Sequence, residues 1–271
     1  MTTPDLREAA PEAYSPKLLG VVNLSPESMV RESIAHTPEQ ALARTRDLLA
    51  EGVDLIDLGG RSITPDVPPI DDEEEISRLR PVAELLRSEG IPFSVDTWSP
   101  RTAIAATDWG ASWINFTGES ATPEMLASIA RSGASLALTY MPYGNAYQMR
   151  NRPRDTPPAD LVGAILSFFE PRVRAAREAG IEEVIIDPNL GIIHPETDDY
   201  EKIHLQLEIV WQTPRLRALR CPLLFYSARK PERLARIMMA SAVLHAQPDW
   251  IRTHEPGILQ NLLRVAARDG V

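Results

Sequence analysis

The sequence predicts an α/β fold: a single parallel (β/α)8 barrel with its active site at the C-terminal ends of the strands. Three observations carry that reading. Short apolar runs rich in Val, Ile, Leu and Phe alternate with longer segments whose apolar residues recur at three- and four-residue spacing, the pattern of βα units around a parallel sheet. Eight such runs occur. The main loops that break the rhythm each follow a run rather than precede one, and in a barrel those connections build the face that carries chemistry.

The runs are residues 18–22, 53–58, 91–95, 112–114, 136–141, 184–186, 223–226 and 250–251. Between them, Thr37-Pro38, Ser99-Pro100 and Thr122-Pro123 each put a hydroxyl at a helix N-cap and a proline at the first helical position, where its missing N–H costs nothing. Gly52, Gly90, Gly110, Gly133 and Gly180 stand where a helix must stop before the next strand, a place that favours the left-handed conformation. The acidic run from Asp71 to Glu75 reads as the solvated start of a helix, favoured by the helix dipole, rather than a metal cluster. The loops are residues 23–37, 59–72, 142–157 and 190–200, and late helical segments span 205–220 and 231–245. No composition break or long linker divides the chain. Residues 17–271 therefore form one barrel with right-handed crossovers, preceded by an N-terminal extension, 1–16.

Composition narrows the function. The chain has 271 residues, of which 44% are hydrophobic and 24% charged, so a sizeable core is available. Lys plus Arg total 28 against 38 acidic residues, a net charge of −10 with no long basic block, which disfavours nucleic-acid binding. Cys221 is the only cysteine and is expected to be inert; no apolar leader or membrane span is evident, so a cytoplasmic location is expected.

The residues ending the runs are strongly polar: Asn23, Asp57, Asp96, Asn115, Tyr140, Asp187, Ser227 with Lys230, and Arg252 with His254. Carboxylates and amides offer acceptors and donors to a flat heterocycle, while Lys230 and Arg252 supply positive charge for an anion. There is no G-x-S-x-G elbow, no H-E-x-x-H or C-x-x-C spacing, and no P-loop or G-x-G-x-x-G signature.

Seven short segments carry a resemblance. LGVVNLSPES (19–28), DLIDLGGRS (54–62), SVDT (94–97), IN (114–115), IDP (186–188), ARK (228–230) and IRTH (251–254) resemble, in order, the signatures of the dihydropteroate synthase family of pterin-binding barrels. The likeness runs from Lys17 to the C-terminus. It implies a transferase that joins para-aminobenzoate to 6-hydroxymethyl-dihydropterin pyrophosphate and releases pyrophosphate, with Mg2+ assisting the leaving group. By the same resemblance, Asp96, Asn115, Asp187 and Lys230 would hold the pterin, and Met141, Tyr226 and Ser227 would stand along the substrate site. Asn23 would help place the metal and the pyrophosphate, and Arg252 and His254 would grip the pyrophosphate. Asp96, Lys230, Arg252 and His254 are thus the expected catalytic set. A homodimer through the late helices, using Met238 and Met239, stands beside core packing as the equal alternative.

The chain also departs from the family pattern. Ser25, Glu27 and Met29 replace Thr, Asp and Phe in the first loop. In the second, Arg61 replaces Glu, and Ile63-Thr64 replaces Thr-Arg before Pro65. Thr139-Tyr140-Met141 replaces Met-His-Met, the segment 187–192 keeps only part of Asp-Pro-Gly-x-Gly-Phe, and Tyr226 and Ala228 replace Gly and Ser. An inward Tyr226 would crowd the heterocycle site. Three readings follow: a synthase, a divergent paralogue condensing a different amine or heterocycle in specialised metabolism, or a non-catalytic pterin-binding protein. Residues 150–155 read as a mobile loop or as a basic lid over an anionic substrate. Trp98, Trp109 and Trp113 are expected to pack between helices and barrel, and His36, His194, His204 and His245 to be peripheral.

Overall fold

The computed structural model describes residues 14–269 apart from Met29, Pro65, Asp66, Ile192, Ala228, Arg229 and Pro231. Most of the expected extension 1–16, and the departures at Met29, Pro65, Ile192 and Ala228, therefore lie outside the described residues.

The chain alternates strand and helix throughout: β1 (Lys17–Asn23), α1 (Pro38–Ala50), β2 (Leu55–Gly59), α2 (Asp72–Ser88), β3 (Phe93–Thr97), α3 (Pro100–Trp109), β4 (Trp113–Phe116), α4 (Pro123–Ser132) and β5 (Ser135–Thr139). It continues through α5 (Ala146–Arg150), α6 (Leu161–Glu178), β6 (Val184–Asp187), α7 (Asp199–Trp211), α8 (Thr213–Leu216), β7 (Leu224–Tyr226), α9 (Arg233–His245), β8 (Trp250–Thr253) and α10 (Pro256–Asp269). The strands pair in parallel in the order β6-β5-β4-β3-β2-β1-β8-β7. The remaining seam, between β6 and the three-residue β7, is closed by a single bridge, Ile186 to Leu223, with Ile186 N–H donating to the Pro222 carbonyl at 3.0 Å.

All eight expected runs are strands. Several extend beyond their apolar stretch, as in Phe93–Thr97, because ladder pairing continues through the polar residues at the mouth. Thr37, Ser99 and Thr122 cap their helices by accepting from Gln40, Thr102 and Met125 backbone N–H groups. Gly110 and Gly133 end α3 and α4 at φ of 86° and 74°, a region an L side chain resists.

The period of two along each strand connects core to site. Leu19, Leu55, Trp113, Ala137, Ile185 and Leu224 cluster inside the barrel with Trp250. Two residues further along each strand, pointing the same way, come Val21, Asp57, Asn115, Thr139, Asp187, Tyr226 and Arg252. A hydrophobic plug therefore supports a polar layer. The rings of Trp113 and Trp250 meet edge to face at 4.5 Å within the plug, so Trp113 lies inside the barrel and not between helices and barrel as expected. Trp109 does pack in the outer core. On the outer strand faces, Phe93, Phe116 and Phe225 bury fully against helical residues such as Leu48, Leu79 and Leu86. Among the described residues no helix is long and apolar enough to cross a membrane.

Candidate active site

A cavity of about 830 Å³ opens at the C-terminal ends of the strands. Asn23, Asp96, Asn115, Asp187, Tyr226, Lys230, Arg252 and His254, all expected site residues, line it together. Strand register sets their order: Asn23 pairs with Gly59, Gly59 with Asp96, Asp96 with Asn115, and Thr139 with Asp187.

The floor is a charged network. Arg252 Nε donates to Asp57 Oδ2 at 2.6 Å and its Nη2 to Asp96 Oδ2 at 2.8 Å. Asp57, fully buried, also accepts from Ser94 Oγ at 2.5 Å and Asn115 Nδ2 at 3.2 Å, and Thr117 Oγ1 donates to Asp96 Oδ1 at 3.1 Å. Burial pushes the Asp96 carboxyl upward, against the pull of Arg252. Burial opposes the charged form of Arg252 as well, but Asp57 and Asp96 hold its guanidinium firmly protonated. Two of the donor positions of Arg252 are thus committed to the barrel floor.

Above that network, polar atoms face the cavity without protein partners. Asn115 Oδ1 and Thr139 Oγ1 are buried and, among the described residues, bond to nothing else. Asp187 accepts from the Asn189 backbone N–H at 2.8 Å through one oxygen. The residue is 7% exposed, and burial raises its carboxyl pKa to about 6. Unpaired buried acceptors are costly, so a row of them marks where a ligand's donors belong.

The rim adds positive charge. Arg31, Arg61, Arg150, Lys202, Lys230, Arg236 and Arg252 outnumber Glu32, Glu75, Asp96, Asp187 and Asp199 in the wall, although the whole chain carries −10. Lys230 Nζ donates to Gln206 Oε1 at 2.5 Å, and Gln206 Nε2 donates to the Leu190 carbonyl at 2.6 Å, so one buried glutamine ties this lysine to the loop after β6. Burial lowers the pKa of Lys230. Tyr226 points inward: a side chain begun at Gly191 would meet its Cδ1 at 2.8 Å, and its ring meets His254 edge to face at 6.0 Å.

Other expected residues stand elsewhere. Met141 is buried with Ala146 and Met149 and lines a smaller neighbouring pocket with Tyr140, whose ring packs on Phe168 at 5.1 Å. Ser227 directs its N–H and hydroxyl to the Arg252 carbonyl, at 3.0 and 3.4 Å. His194, expected to be peripheral, joins two loops: its Nε2 meets the Arg152 carbonyl at 3.0 Å. Arg150, first residue of the expected basic lid, closes a short helix, α5. Trp98 is a cavity wall, with the Arg61 guanidinium 5.1 Å from its ring.

Glu75 corrects the reading of the acidic run. Asp71 does cap α2, but Glu75 is fully buried, accepts from Thr97 at 3.0 Å and Thr102 at 2.5 Å, and pairs with Arg61 Nε at 2.9 Å. The signal was present: Glu75, Leu79, Val82 and Leu86 recur on one helical face, so the last acid of the run belongs to the buried side. Two departures each have partners of their own. Arg61 is held by Asp72, Glu75 and the Ile70 carbonyl, while Glu27 is held by Ser25 Oγ at 2.6 Å and by Arg78 at 3.2 Å. Gln206 gave no motif to find it by.

Fold and cavity together define a (β/α)8 barrel whose C-terminal mouth gathers buried hydrogen-bonding groups and charged side chains. The sequence profile described as "Pterin binding enzyme" matches residues 19–240. The chain is 30% identical to the dihydropteroate synthase type-2 of Escherichia coli over 265 residues, covering 92% of this chain and 94% of that one. Dihydropteroate synthase of Thermus thermophilus, solved in complex with 4-aminobenzoate, superposes with a TM-score of 0.74 at 28% identity, covering 93% and 94% of the two chains. The Yersinia pestis enzyme in a sulfonamide complex reaches a TM-score of 0.80 at 23% identity, with 96% of each chain covered. The chain belongs to the dihydropteroate synthase family of pterin-binding enzymes.

Proposed function

We propose that the protein condenses an aryl amine, para-aminobenzoate, with 6-hydroxymethyl-dihydropterin pyrophosphate and releases pyrophosphate. The observation that carries this reading is the buried row of Asn115 Oδ1, Thr139 Oγ1 and the Asp187 carboxyl beneath a cation-rich rim. Relatives support it: the Thermus thermophilus enzyme has been solved with 4-aminobenzoate and, separately, with 6HMPPP. The reading takes residues 17–271 as the catalytic barrel, places it in the cytoplasm, and includes self-association through α7 and α9, where Trp211 and Met238 are exposed.

Asp187 accepts from the aminopyrimidine edge in a dry pocket, and Asn115 and Thr139 complete the edge, fixing the ring. Lys230, steadied by Gln206, holds the ring from the neighbouring β7 side. His254 faces the diphosphate. Arg252 acts from below, its charge shared with Asp57 and Asp96, so it shapes the field more than it grips an oxygen directly. The amine lone pair attacks the exocyclic carbon, the C–O bond to diphosphate breaks, and the amine loses its proton; no protein nucleophile is needed.

The residues fit a bound magnesium ion of the kind held mainly by substrate phosphates. Among the described residues no cluster of three His, Cys, Asp or Glu exists to cage a metal alone. Asn23 donates through Nδ2 to Ser33 at 2.6 Å, which turns its Oδ1 toward Gly59 and the cavity as a single oxygen ligand. When bound there, the metal would neutralise charge developing on the departing diphosphate.

A second reading, condensation of a different amine, is favoured by the inward Tyr226 and by Arg61 in the second loop. Incubation with the pterin diphosphate, magnesium and para-aminobenzoate separates them. The synthase reading expects pyrophosphate release that requires the aromatic amine and a product of the dihydropteroate mass. Release only with another amine supports the second reading, and tight pterin binding without release supports a binding protein.

A further inference from the structure

Arg150 closes α5 and lines the cavity from the loop after β5. Its Nε and Nη1 are buried and, among the described residues, have no hydrogen-bond partner. Three other arginines of the wall each have a carboxylate: Arg61 has Glu75, Arg236 has Glu255 at 2.7 Å, and Arg252 has Asp57. Burial disfavours the charged form of Arg150, and no acid among the described residues offsets that cost. A half-buried guanidinium in the wall of a cavity is a site for a planar anion, which it can bind with two parallel N–H bonds.

The neighbouring wall says which anion. The turn carrying Arg150 packs through Met149, Ala146 and Met141 against Ile63 and Trp98, and Ile63 and Trp98 line the same cavity. That is an apolar, partly aromatic surface suited to a benzene ring rather than to a diphosphate. Arg61, which stands over the Trp98 ring, is already engaged by Asp72, Glu75 and the Ile70 carbonyl.

We propose that Arg150 anchors the carboxylate of the aryl amine, with the ring lying against Ile63 and Trp98. This rests on the synthase reading for its substrate but is tested apart from it. Calorimetric titration with para-aminobenzoate and with aniline needs no turnover. The wild type should bind the acid, and Arg150→Met should lose about 10- to 100-fold in that affinity, the worth of a charged hydrogen bond, with aniline unaffected. Arg150→Lys should recover part of the loss. In steady-state assays the KM for para-aminobenzoate should rise while the KM for the pterin diphosphate stays put. Unchanged binding of the acid, an equal loss for aniline, a rise in the pterin diphosphate KM instead, or no binding of the acid by the wild type each overturns the proposal. Arg150-dependent binding of the acid without any turnover would sink the synthase reading and leave this subsite standing.

Discussion

Replacing Asp187 by Asn probes the site where function and folding pull in opposite directions. Asp187 is 7% exposed, and burial lifts its carboxyl from 3.8 to about 6. A raised folded-state value means that the proton is bound more tightly in the native protein. The neutral form therefore favours folding, an effect present below pH 3.8 and lost as the pH rises through about 6. Two pH units correspond to roughly 3 kcal/mol of cost to the native state at pH 8. Asn keeps an oxygen for the Asn189 N–H and carries no charge, so Asp187→Asn should be up to about 3 kcal/mol more stable at pH 8, a margin that closes below about pH 4. Urea unfolding at several pH values measures it. The same variant should weaken pterin binding by about 100-fold, because two charge-assisted bonds to the ring edge become ordinary ones. Wild-type affinity should itself fall as the pH drops through about 6. A variant no more stable at pH 8, or one that binds the pterin as before, would refute the reasoning.

Other substitutions test separate parts. Glu75→Ala removes one partner of a buried pair with Arg61 and should cost about 3 to 5 kcal/mol in urea unfolding; a loss under about 1 kcal/mol would return Glu75 to the solvated surface. Gln206→Leu releases Lys230 from its tether and should raise the KM for the pterin diphosphate by about tenfold, the worth of one hydrogen bond to a charged group. An unchanged KM removes Gln206 from the positioning role. Tyr226→Gly clears the ring that meets Gly191 and should tighten pterin binding in a calorimetric titration; weaker binding would show the ring to be part of the pocket. Chelation of magnesium should halt pyrophosphate release, with restoration by added Mg2+.

Much of this was legible because period-two strands put chemistry two residues beyond the core. Asn115 and Asp187 were found as the polar residues that end apolar runs, although the reading set Trp113 outside the barrel; with Trp113 and Ile185 inside, the period of two turns both toward the mouth. The caps at Thr37, Ser99 and Thr122 were legible for a similar reason, since a hydroxyl before proline has one local use. What escaped depends on side chains meeting across distant elements. Glu75 looks solvated within an acidic run until α2 is turned toward β3, and Gln206 is an unremarkable helix residue until the loop after β6 brings Leu190 against it. Arg252 announces an anion site, yet Asp57 and Asp96 claim its donors first. No spacing in one chain records such competition.

The most direct measurement is a crystal structure of the protein with the pterin diphosphate bound. The ring should lie with its amino and ring N–H edge on Asp187, in reach of Asn115 Oδ1 and Thr139 Oγ1, with the diphosphate directed toward His254. A ring bound elsewhere, with those three groups left without partners, would contradict the proposed chemistry whatever the family likeness.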